Sequence, residues 1–344
     1  MWAGNQPTGT GPGRHPGPTS LSPDALRNMS ECSYRLIEGL PPFTLDPRER
    51  TSSNGLGPLL SVYLGHHGHL WAGMPKSKEE ARALGETAYN ALAVSVVSMP
   101  NGETPGQLAL VRREVLLAYD KYKKELQGTG DVDTLARLHH ENPLIIGPSL
   151  YAVTTHNGRP CVIFQIKGNA VGKGEIHSAV VAGGIVEEEF RGATSVNEMF
   201  HEAACRQAKE ELGLSLTSDN LRAPSFLRVE NATGNVGIGY VLRGLSGEEI
   251  LRQYEATMQE RLGKITASDD TAAGVVIHYL DTAPQILLKD GRPALGARTE
   301  FRVTKNSGVL VPCEDPRFLR PAAQGFLAAC AEKLFRSEVE MFAR

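Results

Sequence analysis

Residues 195–214 read SVNEMFHEAACRQAKEELGL. Ser195 followed three residues later by Glu198 is a capping-box pattern, and Gly213 stands where a helix C-terminus favours glycine. The residues between form a bounded helix, 198–212. Glu198, Glu202, Arg206 and Glu210 recur at every fourth position and share one slowly rotating face. Ala203, Ala204 and Ala208 are small, so another layer can pack closely on the helix. Two adjacent carboxylates near a helix end, Glu210 and Glu211, with a donor from one turn earlier, can hold a hard divalent cation through oxygen. Arg206, four residues before Glu210, can fix a carboxylate in position. A cation held there would neutralise a diphosphate and activate water for in-line attack.

The sequence before this helix is rich in strand signals. LIIGPSLYAVTTH and RPCVIFQIKG flank Asn157-Gly158, the strongest short-range hairpin signal. A third apolar run, residues 176–186, contains Gly183-Gly184 near its end, and a polar loop leads from it to the helix. Further strands are expected at 225–230, 236–242 and 275–280, with a C-terminal helix at 321–342. This mixed order predicts α+β or α/β layers around a sheet.

At these residues the chain resembles the Nudix hydrolase family. The family's motif is a glycine, five residues, Glu, seven residues, then Arg-Glu, an aliphatic residue, any residue, Glu-Glu, any residue and Gly-aliphatic. Glu198 stands at the motif's distance before Arg206, and Gln207, Ala208, Lys209, Glu210, Glu211, Leu212, Gly213 and Leu214 follow. Gly192 satisfies the first glycine by letter. Gly183-Gly184, ending a strand and preceding a glutamate, is the expected structural equivalent of the family's Gly-Gly turn, with an insertion within EEEFRGATSVN. The resemblance implies an α+β fold: a Nudix-like α/β/α sandwich with a mixed β-sheet. It also implies Mg²⁺ or Mn²⁺ as cofactor and a nucleoside diphosphate linked to another moiety as substrate. The implied metal ligands are Glu198, Gln207, Glu210, Glu211 and the backbone carbonyl of Gly183. Arg206 would orient carboxylates, and Asp269 or, by preference, Asp270 would be the loop base. Gln207 departs from the pattern: the family has glutamate there. The exchange removes one negative charge, and hard-metal affinity falls with ligand charge. That departure supports a second reading, a nucleotide-binding or protein-interaction module of the same fold with catalysis weakened or lost. A third reading leaves the acidic helix merely solvated.

Residues 1–20, rich in Gly, Pro, Thr and Ser, are expected to be disordered. Residues 21–142 read as an N-terminal α-rich domain and 143–344 as the Nudix-like domain. Within the first, helices are expected from near Ser22, at 78–99 and at 105–126, and a strand at 57–65. The tail Lys121, Lys123, Lys124 suits a helix C-terminus. This region is expected to shape the pocket, mediate homodimerisation or bind a partner, and its residues do not decide among these.

A hydrophobic fraction of 41% and a charged fraction of 22% are those of a soluble globular chain. There is neither a signal-peptide pattern nor an apolar run of membrane-spanning length, so a cytoplasmic, membrane-free protein is expected. A net charge of -3 argues against general nucleic-acid binding. Five dispersed cysteines, Cys32, Cys161, Cys205, Cys313 and Cys330, suggest reduced thiols and no zinc site. His66, His67 and His69, and likewise His139-His140, fit a loop better than a metal centre. Arg228 and Lys167 are substrate-side candidates, and Glu230 is a weaker carboxylate candidate.

Overall fold

Pro58 opens a helix where the apolar run around it suggested a strand. Its fixed φ suits the first helical position, and Leu60, Tyr63 and Leu64 are buried at helical spacing along α1 (Pro58–His67). The structure is a computed structural model and describes residues 19–20, 34–51, 56–85, 90–141, 144–166, 176–177, 179–230, 236–261, 274–279, 286–289, 292–295, 300–303, 311–312 and 317–318. The expected tail, the helix start near Ser22 and the C-terminal helix lie outside these, apart from the short strand at 19–20.

In chain order the N-terminal part contains strands β1 (Thr19–Ser20), β2 (Tyr34–Glu38) and β3 (Phe43–Arg50), then α1 and a 3₁₀ turn at Gly68–Leu70. The expected helix at 78–99 is instead a short α2 (Lys78–Ala83) followed by β4 (Leu92–Ser98). The expected helix at 105–126 is instead β5 (Gly106–Arg112) running directly into α3 (Arg113–Thr129), which Gly130 ends in the left-handed conformation at φ 73°. Both corrections share one cause. A short β-branched or leucine-rich run with several adjacent residues buried, as at Val94–Val96 and Leu108–Val111, carries no period that separates strand from helix. Helix α4 (Val132–Glu141) follows. Among the described residues of this part helix outweighs strand, yet β2, β3, β4 and β5 join the main sheet.

The Asn157-Gly158 turn forms as expected. Both residues take positive φ, 52° and 70°, the conformation of a two-residue type I′ hairpin. It joins β6 (Leu144–His156) to β7 (Arg159–Ile166), paired antiparallel from Ala152↔Ile163 to His156↔Arg159. The run at 176–186 yields two short strands, β8 (Ile176–His177) and β9 (Val181–Ala182). The expected polar loop contains a helix, α5 (Glu187–Gly192), and α6 (Val196–Leu212) follows. Then come β10 (Phe226–Glu230), β11 (Val236–Leu242), α7 (Gly247–Arg261), β12 (Gly274–Tyr279), β13 (Ile286–Lys289), β14 (Arg292–Leu295), β15 (Glu300–Val303), β16 (Val311–Pro312) and β17 (Arg317–Phe318).

Among the described residues the main sheet has thirteen strands, eight of them in the order β16-β15-β12-β7-β6-β11-β10-β2. The pairing β6–β11 is parallel and β6–β7 antiparallel, so the sheet is mixed. β4 pairs with β6 through Ser95 and Val96, and β2 pairs with β10, so strands from both sides of residue 142 share it. β1, β13, β14 and β17 form a separate four-stranded sheet. The fold is α+β with a mixed sheet.

Helix α6 packs against β6, β9 and α7. It buries Met199, Phe200, Ala203, Ala204, Ala208 and Leu212 at successive turns. The alanines bring its axis close to the strands, and each fully buried Phe, Met or Leu contributes about 1.5–3 kcal/mol. Gly213 closes the helix at φ 72°, and a Cβ there would meet Thr257 Oγ1. Among the described residues, no helix is long and apolar enough to cross a membrane.

Candidate diphosphate site at the glycine turn and helix α6

Ser195 caps α6 as its sequence predicted, accepting the Glu198 backbone N–H at 3.2 Å. The Glu198 carboxylate turns away from the far end of the helix. It accepts the Thr194 hydroxyl and, at 2.8 Å, the backbone N–H of Thr194. These bonds, the hydroxyl's foremost, hold Glu198 below the usual carboxylate range. Glu198 precedes Glu210 by twelve residues on one unbroken helix, roughly 18 Å along the axis at 1.5 Å per residue. A single cation bound by Glu210 and Glu211 is out of its reach, so the expectation that it ligates with them is corrected.

Arg206 has a different partner. Its Nε donates to Glu189 Oε1 at 2.6 Å and its Nη1 to Glu210 Oε2 at 2.8 Å. Its Nη2 donates to the Gly184 carbonyl at 3.0 Å and to Glu189 Oε2 at 3.3 Å. One guanidinium thus ties together α5, the glycine turn and the acidic end of α6. Glu189 is buried at 8% exposure. It also caps α5 by accepting the Val186 N–H at 2.9 Å. Counted from Gly183, five residues separate glycine from Glu189. The opening spacing of the motif is therefore met from the Gly-Gly turn itself, and the insertion falls after Glu189. That spacing was the available signal, hidden by the competing count from Gly192.

The turn is pressed between strand and helix. Gly183 donates its N–H to the Pro148 carbonyl at 3.4 Å. A Cβ on Gly147 would collide with the Gly183 oxygen, and a Cβ on Gly183 would collide with Gln207 Nε2. The carbonyl facing the helix is that of Gly184, where Gln207 Nε2 donates at 2.5 Å. The Gly183 carbonyl, expected as a ligand, faces β6 instead.

Glu211, one turn beyond Gln207, accepts a hydrogen bond from Gln165 Nε2 at 2.8 Å. Gln165 lies on β7 and is 0% exposed, and Gln207 is 4% exposed. In both amides Oε1 is buried with no hydrogen-bond partner. A lone glutamine in CVIFQIKG carries no pattern that marks Gln165. Its strand position facing α6 becomes visible only with the register.

Among the described residues, no three or more His, Cys, Asp or Glu side chains come together as a metal-binding group. What the junction offers is two carboxylates, Glu210 and Glu211, and two unpartnered amide oxygens. All are hard donors, with less total charge than an all-carboxylate set.

Asp269, Asp270 and Lys167 are outside the described residues. Arg228 is buried in the sheet and donates to the Tyr151 hydroxyl at 3.1 Å. His66 and His67 line an open cleft of about 340 Å³ with Tyr63 and Tyr122, whose rings stack at 4.4 Å. Cys205 is half-buried, and burial pushes its thiol above the ordinary value, which suits packing rather than nucleophilic attack.

No family model matches the chain, and no curated protein matches it. Among solved structures, a MutT/nudix family protein from Enterococcus faecalis is similar at 11% identity, over 57% of this chain and 62% of that one, with a TM-score of 0.29. The chain thus spans less than two thirds of that protein's length, and a likeness of this size carries no functional weight.

Proposed function

We propose that the junction of the glycine turn and α6 is a weakened Nudix-type site, which binds a nucleoside diphosphate joined to a second moiety and hydrolyses the diphosphate slowly when Mg²⁺ or Mn²⁺ is in excess. The observation supporting this most directly is the Arg206 clamp. It holds Glu210 at 2.8 Å while reaching the Gly184 carbonyl at 3.0 Å, so the turn and the acidic helix end form one rigid unit. Glu210 and Glu211 would hold the cation, with the Gln207 amide oxygen as a neutral third donor. When bound, the cation offsets the diphosphate charge and makes water a better nucleophile. The protein's own part is to orient these oxygens before substrate arrives, which the arginine does without help from the ligand.

The test is a pyrophosphatase assay over nucleotide-sugars, dinucleotides and nucleoside triphosphates with millimolar Mg²⁺ or Mn²⁺. Slow turnover of at least one compound is expected, and Gln207→Glu should raise it several-fold by restoring a charged ligand.

A second reading, a binding module without catalysis, is favoured by the amides of Gln207 and Gln165. They donate to the oxygens of Gly184 and Glu211, which a cation would otherwise engage. Ligand binding with no turnover, in both wild type and Gln207→Glu, selects this reading over the first.

A further inference from the structure

Gln165 is fully buried yet satisfies only half of its amide. Its N–H goes to Glu211, and its oxygen goes to nothing. Gln207 repeats the arrangement one helical turn away, with its N–H on Gly184 O and its oxygen unpartnered. Buried polar atoms without partners are uncommon; of these two, one belongs to the residue bonded to Glu211 and the other stands a helical turn before Glu211 on α6. Turning either amide over would set oxygen against oxygen, at the 2.8 Å now spanned to Glu211 or the 2.5 Å to Gly184. Both amides therefore hold the orientation that a cation-free site requires. With a cation bound, the preference reverses, because the amide oxygen becomes a donor to positive charge.

We infer that Gln165 is a positioning residue of this site: its N–H steadies Glu211 in the absence of a cation, and its oxygen becomes a neutral donor when a divalent cation binds. This rests on the metal-site reading above and adds a residue from strand β7, outside the motif helix. A glutamine here lets the buried strand face carry a donor without a second negative charge next to Glu211.

The experiment is a titration of the full chain with Mn²⁺, free ion being followed by electron paramagnetic resonance. Gln165→Glu should tighten binding about tenfold, and Gln165→Met, similar in size but with neither donor nor acceptor, should weaken it about tenfold. Thermal melts report whether each variant is folded. A merely structural glutamine would change the melting temperature and leave Mn²⁺ affinity unaltered, so a folded Gln165→Met with wild-type affinity overturns the inference. A Gln165→Glu variant that binds no tighter does the same. On the unmutated, ¹⁵N-labelled protein, the Gln165 side-chain amide resonance should shift on adding Mg²⁺, and an unshifted resonance under saturating metal also overturns it. Wild type that binds no Mn²⁺ at all overturns the metal-site reading itself. Wild type that binds but ignores position 165 overturns this inference alone.

Discussion

Gly147 and Gly183 are the residues whose lack of a side chain the site uses most directly. A Cβ at Gly147 would overlap the Gly183 carbonyl oxygen, a backbone atom tied into the turn. A Cβ at Gly183 would press on the end of the Gln207 side chain, and that end can rotate away. The two substitutions should therefore differ in kind. Gly147→Ala is expected to lower stability by about 3 kcal/mol, as overpacking against backbone does. Gly183→Ala should cost about 1 kcal/mol, at the low end of the same range, while breaking the Gln207–Gly184 hydrogen bond. Urea denaturation of the two variants checks the ranking, and equal losses would mean that the turn yields as easily as the side chain.

At the scale of elements, α6 and α5 work as a pair through Arg206, and the two glutamates that the motif could supply are separable by mutation. Glu189→Gln removes the carboxylate that takes two guanidinium bonds and caps α5. It should cost about 2 kcal/mol, less than a fully buried pair because Arg206 is partly open to solvent. Any diphosphatase activity should fall with it. Glu198→Gln touches only the start of α6, where the carboxylate accepts from Thr194, and should leave activity unchanged. If the two variants lose activity equally in the same assay, Glu198 belongs to the site after all. The contrast also separates what the sequence made legible from what it hid. Helix α6, its cap, its terminal glycine and the hairpin turn could be read because each carries a local signal: a period, a cap or a positive-φ residue. The pairing of Glu189 with Arg206 could not, because two glycines offer the same count and only three-dimensional contact tells them apart. Helix α5 was hidden for another reason. Three glutamates in a row read as a polar loop, yet negative charge at a helix N-terminus is favoured by the helix dipole, and Glu189 closes the cap. Strands β4 and β5 fall in runs that predict helices, because adjacent buried residues, Val94–Val96 and Leu108–Val111, erase the alternation that marks a strand.

For the molecule as a whole, the thirteen-stranded sheet resolves the local ambiguity of the N-terminal part, since β4 and β2 find partners in β6 and β10 across residue 142. The same sheet sets the acid limit of the fold. His278 on β12 is buried beside the Phe164 ring, at 6.4 Å between centroids, and its Nε2 has no hydrogen-bond partner. Burial pushes its imidazole from 6.5 down to about 4. A base whose folded value is depressed binds protons more readily once the chain unfolds. Its contribution to stability is therefore complete above pH 6.5 and is lost as the pH falls toward about 4. The loss across that window should approach about 3 kcal/mol, since each pH unit between the folded and unfolded values is worth about 1.36 kcal/mol. The carboxylates act lower. Asp46 is held below its ordinary 3.8 by the Arg48 guanidinium, and Glu248 below 4.5 by the Asn157 N–H, so their contributions disappear only at more acid pH. Between pH 6.5 and about 4.5 the histidine should accordingly dominate the slope. Urea midpoints measured across that interval should fall with acidification in the wild type and flatten in His278→Leu, which removes the proton-binding group and keeps the site apolar. A His278→Leu curve parallel to wild type would assign the acid sensitivity to other groups.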